Sequence, residues 1–247
     1  MKLLLMADGQ VGLAITRWLV REYRQDVALI VATAENEVWR AAQEEGVSCV
    51  VFKTSEHLLA LIDGLGIELD IGILAWWPKL IERSLLNKPR RGFINTHPSY
   101  LPYNRGKHYN FWALVEQTPF GVSLHMVDGG IDSGDIIAQK NIPYGWEDNG
   151  ETLYAKAQEA MLELFRDSYP AIRGLDFPHV KQELQHGSFH RAAELDAASR
   201  IEIDGTYCAR DLFNVLRART FTGHPSCWFK DGDDEFEVRI GIERKKS

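Results

Sequence analysis

The chain has 247 residues, of which 45% are hydrophobic and 26% charged, as is usual for a globular protein with a substantial core. Its formal net charge of −7 argues against a protein that binds mainly nucleic-acid phosphates, so we expect no nucleic-acid partner. Cys49, Cys208 and Cys227 are odd in number and widely spaced, which indicates a reducing compartment and no zinc site. The apolar run at residues 1–6 is stopped by Asp8, and no stretch approaches the roughly 20 apolar residues of a membrane span. We therefore predict a cytoplasmic protein without a membrane partner.

The first half of the sequence alternates short apolar runs with segments of helical periodicity. Runs rich in Ile, Leu and Val predict strands near 2–7, 27–33, 48–52, 69–75 and 92–97. Helical spacing follows at 11–23, 37–45 and 55–65, with a shorter helix near 80–86. Because the strands are apolar on both sides, they predict a Rossmann-like, mostly parallel sheet that is covered by helices on both faces. The predicted fold class is therefore α/β.

The second half predicts a helix near 108–116, strands near 120–127 and 136–142, and a long helix over about 151–169. Glycine and proline punctuate the polar stretch that follows, and we place a domain boundary after residue 174. The predicted domains are a larger one over 1–174 and a small C-terminal unit over 175–247. The small unit would contain a helix near 209–217 and a β-hairpin formed by 227–230 and 235–242.

Asp8-Gly9-Gln10-Val11-Gly12 places a GxxG turn directly after the first predicted strand. This is only part of the GxGxxG fingerprint of a dinucleotide site, and no acidic residue closes the second strand. The pattern favours a tight turn into a helix. An NAD-dependent oxidoreductase stays an alternative that would need this turn to bind the dinucleotide.

Three polar side chains point to acyl transfer onto an amine. Asn95 and His97 lie two apart at the end of a predicted parallel strand, where they face the same way and where ligands of such sheets bind. Asp132 follows in a glycine-rich loop that can fold back onto them. An amide can stabilise an oxyanion, an imidazole can move protons near neutral pH, and a carboxylate can orient the imidazole. The alternative is a structural His97 with Asp132 capping a turn.

Several short motifs resemble the formyltransferase family in their order and spacing. They are Asn95-Thr96-His97-Pro98-Ser99, Leu101-Pro102, Arg105-Gly106, Gly121-Val122-Ser123-Leu124-His125 and Asp132-Ser133-Gly134-Asp135-Ile136-Ile137. The family includes methionyl-tRNA formyltransferase, phosphoribosylglycinamide formyltransferase and the sugar-nucleotide N-formyltransferases. The resemblance covers about residues 1–174, which would be the catalytic domain with the formyltransferase fold. It implies formyl transfer from N10-formyltetrahydrofolate, as a co-substrate, to a primary amine.

The resemblance also implies roles for individual residues. Asn95 would hold the formyl oxygen, His97 would assist proton transfer, and Asp132 would orient His97 and a water molecule. The folate would lie against the loop at 74–79 and the loop at 128–132. The folate-binding candidates are Leu74, Ala75, Trp76, Trp77, Asp128 and Gly130. Two adjacent tryptophans depart from the usual single aromatic residue, and the sequence leaves open which one walls the pocket and which belongs to the core or to a dimer surface.

A basic and aromatic segment next to the catalytic strand suggests the acceptor. The substrate-binding candidates are Tyr103, Asn104, Arg105, Lys107, His108 and Phe221. Arg105 and Lys107 would attract a nucleotide diphosphate, and the alternative is an exposed loop with scattered charges. The segment is similar to the sugar-nucleotide branch, particularly to enzymes that act on dTDP-4-amino-4,6-dideoxyglucose. Phe221 would stack on the base or belong to the hairpin core.

The small C-terminal unit supports that branch of the family. It is shorter than the barrel with which methionyl-tRNA formyltransferases hold tRNA, and its hairpin predicts a homodimer. The implied product would feed O-antigen and lipopolysaccharide biosynthesis. Rival acceptors are a 3-amino sugar, a UDP-linked sugar or another primary amine. An alternative from a different functional class is that the protein is a non-catalytic, Rossmann-like nucleotide-binding module.

Two further histidine patterns stand out in the sequence. His125 lies near the predicted site strand and would be either a ligand contact or a buried structural residue. His186 and His190 have helical i, i+4 spacing, but no third ligand accompanies them in the sequence. We therefore predict no metal site.

Overall fold

The computed structural model describes residues 1–246; Ser247, the last residue of the predicted C-terminal unit, lies outside the described residues. The first half of the chain alternates strands and helices as predicted. These elements are β1 (Leu3–Ala7), α1 (Gly9–Tyr23), β2 (Val27–Ala32), α2 (Glu37–Glu44), β3 (Cys49–Val51), α3 (Ser55–Gly64), β4 (Ile71–Ala75), α4 (Arg83–Leu86) and β5 (Phe93–His97).

The second half contains a more mixed set of elements. They are β6 (Arg105–Gly106), α5 (Tyr109–Glu116), β7 (Gly121–Met126), β8 (Ile136–Asn141), α6 (Gly150–Arg173), β9 (Phe189–His190), α7 (Glu194–Ser199), α8 (Ala209–Ala218), β10 (Cys227–Asp231) and β11 (Asp234–Val238). Strands β10 and β11 form the predicted antiparallel hairpin, which follows helix α8 in the chain.

Seven strands form one sheet in the order β3-β2-β1-β4-β5-β7-β8. Strand β1 runs parallel to both neighbours, with Leu5 opposite Ile30 of β2 and Ile73 of β4. Strand β5 runs parallel to β4, whereas β7 runs antiparallel to β5. The predicted α/β fold with a mostly parallel sheet is confirmed. The strand order changes direction beside β1 and β4, and ligands of such sheets bind at the carboxyl ends of the strands near this point.

The central strands are buried on both faces, which explains why their sequences do not alternate between apolar and polar residues. All five residues of β1 and all five of β4 are buried. Helix α1 covers β1 through Val11, Ile15 and Leu19, which recur every four residues on one helical face. Gly12 is buried in the same helix, and a Cβ there would come within 2.9 Å of the carbonyl oxygen of Ala75. The GxxG turn is therefore explained by close packing of the helix against the sheet.

Helix α6 is longer than predicted. The predicted end near Tyr169 lies just before Pro170, a residue that lacks the N–H needed in a helix interior. In the structure the helix continues to Arg173, so Pro170 lies in its last turn. The helix stops where Leu175 adopts a positive φ of 55°.

The described residues form two compact units. The first comprises Met1–His97, Ser123–Gln139 and Met161–Gln182; the second comprises Pro98–Val122, Lys140–Ala160 and the chain from Glu183 onward. The division into a catalytic domain over 1–174 and a C-terminal unit over 175–247 stays a prediction. No helix in the described part of the chain combines the length and apolarity needed to cross a bilayer.

Candidate active site

Strand β5 ends in two polar side chains that the pleat turns to the same side of the sheet. Asn95 and His97 are two residues apart, and Thr96 between them faces the other way. His97 is buried and Asn95 is half-buried. In the antiparallel pairing with β7, Asn95 lies opposite His125. The neighbouring strand therefore brings a second imidazole to the same place.

Asp132 folds back onto these residues. Its Oδ1 atom lies 3.4 Å from Nδ1 of His97 and 3.5 Å from Nδ2 of Asn95. The same oxygen lies 3.6 Å from Nε2 of His125. The carboxylate side chain is 16% exposed, so most of its surface is shielded from water. The structure thus gathers the three predicted catalytic side chains around one carboxylate oxygen, while their roles in a reaction stay predictions.

His125 is a fourth member of this cluster. Its side chain is 2% exposed, and its Nδ1 atom lies 2.8 Å from the carbonyl oxygen of Met126. A carbonyl oxygen only accepts hydrogen bonds, so Nδ1 carries a proton and Nε2 of the neutral ring is an acceptor. Nε2 lies 3.2 Å from Nδ2 of Asn95, which can donate to it. His125 thereby fixes which way the Asn95 amide points and leaves the second N–H of that amide facing the cluster.

The two adjacent tryptophans after β4 have different surroundings. The backbone N–H of Trp76 donates to Oγ1 of Thr96 at 2.8 Å, and its φ is 57°. Trp77 packs against the hydrophobic core that surrounds Leu74, and its ring makes an edge-to-face contact with Phe52 at 5.3 Å between centroids. Trp77 is therefore a half-buried residue that packs on the edge of the core. This leaves Trp76, half-buried at the carboxyl end of β4, as the aromatic candidate for a pocket wall.

The other folate candidates divide into buried and exposed groups. The carbonyl of Leu74 already accepts from Oγ1 of Thr96 at 3.1 Å, and the carbonyl of Ala75 accepts from the backbone N–H of Asp8 at 3.2 Å. Asp128 accepts at Oδ1 from the backbone N–H of Gly130 at 2.9 Å, which shapes the exposed loop before Asp132. The predicted folate contacts of these residues stay predictions.

The cluster also has the composition of a cation site. Ligand atoms of His97, His125 and Asp132 all lie within 4.8 Å of one another. Two imidazoles and one carboxylate are ligands that divalent transition metals accept. The expected absence of a metal stays a prediction.

In the second compact unit, the predicted nucleotide-binding loop is held by Asn104. This residue is fully buried and adopts a positive φ of 55°. Its Nδ2 donates to Oγ1 of Thr118 at 2.8 Å, and its Oδ1 accepts from Oγ of Ser188 at 3.1 Å. The Asn104 side chain therefore shapes the loop, and its predicted substrate contact stays a prediction.

The next two residues of this loop pair with β9. Arg105 lies opposite Phe189 and Gly106 opposite His190 in a two-residue parallel ladder. A Cβ at Gly106 would overlap the carbonyl oxygen of His190, so this approach requires glycine. The ring of His190 stacks on Trp112 with centroids 3.8 Å apart, which anchors the ladder. Nε of Arg105 is buried and has no hydrogen-bond partner within residues 1–246.

The remaining substrate candidates lie in the same unit. Lys107 is exposed and Tyr103 is half-buried. Burial, with the nearby charges of Arg219 and Lys107, holds the pKa of His108 below its ordinary value. Phe221 is half-buried, and its ring centroid lies 4.7 Å from that of His224. Contacts of these side chains to a substrate stay predictions.

Two family models match the chain. Residues 24–167 match the model described as formyl transferase, and residues 194–244 match the model described as the N-formyltransferase dimerization C-terminal domain. Methionyl-tRNA formyltransferase of Listeria monocytogenes serotype 4a is 31% identical over 166 residues, which are 67% of this chain and 51% of that protein. The chain therefore spans about half the length of this relative. The dTDP-4-amino-4,6-dideoxyglucose formyltransferase of Mycobacterium bovis is 27% identical over 154 residues, 62% of this chain and 65% of that protein.

Solved structures with the same fold cover nearly the whole chain. A 4-N formyltransferase from Francisella tularensis superposes with a TM-score of 0.83 at 22% identity, covering 99% of this chain and 98% of that one. An N-formyltransferase from Helicobacter canadensis, in complex with folinic acid and dTDP-3-aminofucose, gives a TM-score of 0.76 at 17% identity, covering 94% and 84%. At these identities both structures support the fold. Because the first family model spans more than half of its residues, the chain belongs to the formyl transferase family.

Proposed function

We propose that the protein transfers a formyl group from N10-formyltetrahydrofolate to the amino group of a nucleotide-linked amino sugar. The observation that carries this proposal is the meeting of Asn95, His97 and Asp132 at the carboxyl end of β5. Membership of the formyl transferase family supports the same chemistry. The relationship to sugar N-formyltransferases supports the class of acceptor.

The proposed reaction needs one bond to form, one to break and one proton to move. The acceptor nitrogen bonds to the formyl carbon, the bond from that carbon to the folate nitrogen breaks, and a proton passes from the first nitrogen to the second. The N–H of Asn95 would donate to the formyl oxygen as negative charge builds on it. His97 would relay the proton, and Asp132 would hold the His97 ring and stabilise its charged form.

The residues near the ends of β4 and β5 suit a folate. A pterin is flat with polar edges, and a half-buried aromatic residue next to an exposed turn offers a stacking surface and backbone hydrogen bonds. Trp76 and the loop around Gly130 provide these two features. The bound folate would supply the activated formyl group.

We further propose dTDP-4-amino-4,6-dideoxyglucose as the acceptor. Arg105 is half-buried, and its Nε has no hydrogen-bond partner in the described part of the chain, which supports an anionic ligand such as a diphosphate. A 3-amino sugar, a UDP-linked sugar and another primary amine are the rival acceptors. The cytoplasmic location and the product's use in O-antigen and lipopolysaccharide assembly stay predictions.

The test is a formyl-transfer assay with N10-formyltetrahydrofolate and a panel of acceptors. The panel contains dTDP- and UDP-linked 3-amino and 4-amino sugars, together with glycinamide ribonucleotide. Formylation of the dTDP-linked 4-amino sugar with the highest kcat/KM is the expected result. If only glycinamide ribonucleotide is formylated, the acceptor is wrong and the chemistry stands. If no amine is formylated, the nucleotide-binding module without catalysis becomes the better hypothesis.

The contacts of the turn after β1 disfavour the dinucleotide alternative. Oδ1 of Asp8 at the start of α1 accepts from Oγ1 of Thr33 and from Nδ2 of Asn36, each at 2.7 Å. A carboxylate at a helix N-terminus competes with a pyrophosphate for the same positive end of the helix. A thermal shift of the protein with NAD(H) would support the oxidoreductase hypothesis and count against formyl transfer.

We also propose that the protein is a homodimer. Large apolar side chains remain exposed in the C-terminal part of the chain: Phe213 and Phe236 are 47% and 45% exposed, and Ile203 is 52% exposed. Such groups mark protein interaction surfaces when they cluster. Sedimentation velocity should give a mass twice the 28.1 kDa of the chain.

A further inference from the structure

We propose that Gln182 is the positioning residue that sets the orientation of Asp132 for formyl transfer. Gln182 lies 50 residues after Asp132 in the chain, in the segment that follows α6. It acts through the backbone of the Asp132 loop rather than through the three side chains to which we assign chemistry. This inference rests on the proposed function.

The Gln182 amide binds two carbonyl groups of that loop at once. Its Nε2 donates to the carbonyl oxygen of Asp132 at 2.9 Å and to that of Gly134 at 2.7 Å. Both partners only accept hydrogen bonds, so the orientation of the amide is unambiguous and both of its N–H groups are used. The geometry requires a donor with two hydrogens at this position.

The loop needs such an external constraint at Asp132. The φ of 50° at this residue lies in the left-handed region, which costs an L-residue roughly 1 kcal/mol or more. Gly134 is pressed against β7, since a Cβ there would overlap the carbonyl oxygen of Met126. Gln182 therefore closes a loop that is already anchored on one side.

A backbone bridge delivers Gln182 to the loop. Val180 and Ile136 exchange hydrogen bonds in both directions, at 2.8 Å and 2.9 Å between N and O. This bridge lies two residues before Gln182 and two residues after Gly134. The bridge would hold the segment in place when the Gln182 side chain is changed.

The position of the Asp132 backbone sets the distances from its carboxylate to three neighbouring side chains. Oδ1 of Asp132 lies 3.4 Å from His97 Nδ1, 3.5 Å from Asn95 Nδ2 and 3.6 Å from His125 Nε2. All three are near the outer limit of polar contact, so a shift of the loop by about 1 Å would abolish some of them. Misplacement on this scale costs up to about a hundredfold in rate.

The experiment uses three variants of the full chain. Gln182→Ala removes the donor. Gln182→Glu keeps the length of the side chain but places carboxylate oxygens against two carbonyl oxygens, so no hydrogen bond forms. Gln182→Asn keeps the amide on a side chain that is one methylene shorter. For the first two we expect kcat to fall about tenfold to a hundredfold, with KM for both substrates changed less than about threefold. Gln182→Asn should retain more activity than either. Lys181→Ala, at an exposed neighbour, is the matched control.

A double-mutant cycle separates positioning from a general structural role. In an Asp132→Asn background, Gln182→Ala should cause no further loss of kcat, because the carboxylate that it positions is already gone. The NMR chemical shifts of the His97 imidazole should change in Gln182→Ala and stay the same in Lys181→Ala.

The outcomes distinguish this inference from the proposed function. If the wild-type protein formylates no amine, the proposed function fails, and unchanged His97 chemical shifts in Gln182→Ala would then overturn the positioning role as well. If the wild type turns over and Gln182→Ala has the same kcat, or loses activity equally in both backgrounds, Gln182 does not position Asp132. Should Gln182→Ala fail to fold, Gln182→Asn and Gln182→Glu supply the same comparison.

Discussion

Oδ1 of Asp132 lies 3.4 Å from Nδ1 of His97, and the same oxygen is within 3.6 Å of a second imidazole, that of His125. One carboxylate oxygen thus lies close to two rings, and a backbone carbonyl fixes the tautomer of His125. Because Nδ1 of His125 is held at Met126, the proton that can move toward Asp132 is the one on His97. This asymmetry supports our proposal that His97 transfers the proton, and we expect His125 to hold the amide of Asn95.

The first prediction concerns the catalytic cluster. Asn95→Ala should lower kcat about 10²- to 10³-fold, since it removes a donor to the formyl oxygen. His97→Ala should lower kcat by about 10²- to 10⁴-fold through loss of proton transfer. Steady-state kinetics would measure both, and calorimetry with dTDP should show an affinity close to that of the wild type.

The exposed His57 provides a matched control, because His57→Ala removes an imidazole from the surface of α3. Its activity should equal that of the wild type. Wild-type turnover in both Asn95→Ala and His97→Ala would instead show that these two side chains do not carry the reaction.

Much of the sheet could be predicted because its strands are uniformly apolar and its helices have clear periodicity. The meeting of Asn95 and His97 followed from strand geometry, and the approach of Asp132 followed from a glycine-rich loop that can fold back. The ladder between β6 and β9 could not be predicted, because two-residue strands have no periodicity. The contact between Gln182 and Asp132 spans 50 residues and depends on tertiary packing, which no local pattern encodes.

Side-chain burial was the hardest feature to predict. Asn104 has the composition of a polar loop residue, yet it is fully buried and bonded on both sides of its amide. Trp76 and Trp77 are chemically identical, adjacent and both half-buried, so the sequence could not show which of them packs on Phe52.

The second prediction separates the two tryptophans. Trp76→Ala should weaken tetrahydrofolate binding about tenfold, since an aromatic stacking surface is lost, and should change stability little. Trp77→Ala should lower the free energy of unfolding by roughly 2–4 kcal/mol, because its ring packs on the core and on Phe52. Calorimetry with tetrahydrofolate and urea denaturation measure the two effects. The reverse pattern would show that Trp77 faces the folate.

The third prediction concerns the pH response of His108. Its pKa lies below the ordinary value of about 6.5, mainly because burial disfavours the charged ring and secondarily because of Arg219 and Lys107. The folded state thus prefers the neutral form. The contribution of neutral His108 to stability is complete above the unfolded-state pKa, and it is lost as the pH falls through the folded-state pKa.

NMR titration of the histidine ring protons would test this. Arg219→Gln should raise the pKa of His108, because one positive charge is removed, but not to its ordinary value, since burial remains. Lys230→Gln, which changes a lysine paired with Glu235 in the hairpin, should leave the curve unchanged. A His108 resonance that gives a pKa at or above the ordinary value for histidine would contradict the prediction of a lowered pKa.

The last prediction concerns the buried carboxylate of Asp26, whose side chain is 2% exposed. It accepts from Nε of Arg173 at 2.7 Å and from the hydroxyl of Tyr169 at 3.2 Å, which ties the end of α6 to the segment after α1. Burial and the adjacent Asp26 raise the pKa of the Tyr169 hydroxyl, so it remains a donor. Arg173→Met should destabilise the protein strongly, because a buried carboxylate loses its only cationic partner among residues 1–246.

Urea denaturation of the single variants and the pair measures this dependence. Adding Asp26→Asn to Arg173→Met should restore part of the lost stability, since the unpaired charge is removed together with its partner. The exposed Arg21, whose side chain is 84% exposed, is the control, and Arg21→Met should have little effect. If the effects of the substitutions at Asp26 and Arg173 were additive, this pair would not be the link between the end of α6 and the segment after α1. The partial rescue follows because the Tyr169 hydroxyl can still donate to the oxygen of a neutral amide at position 26, whereas it cannot neutralise a carboxylate there by itself.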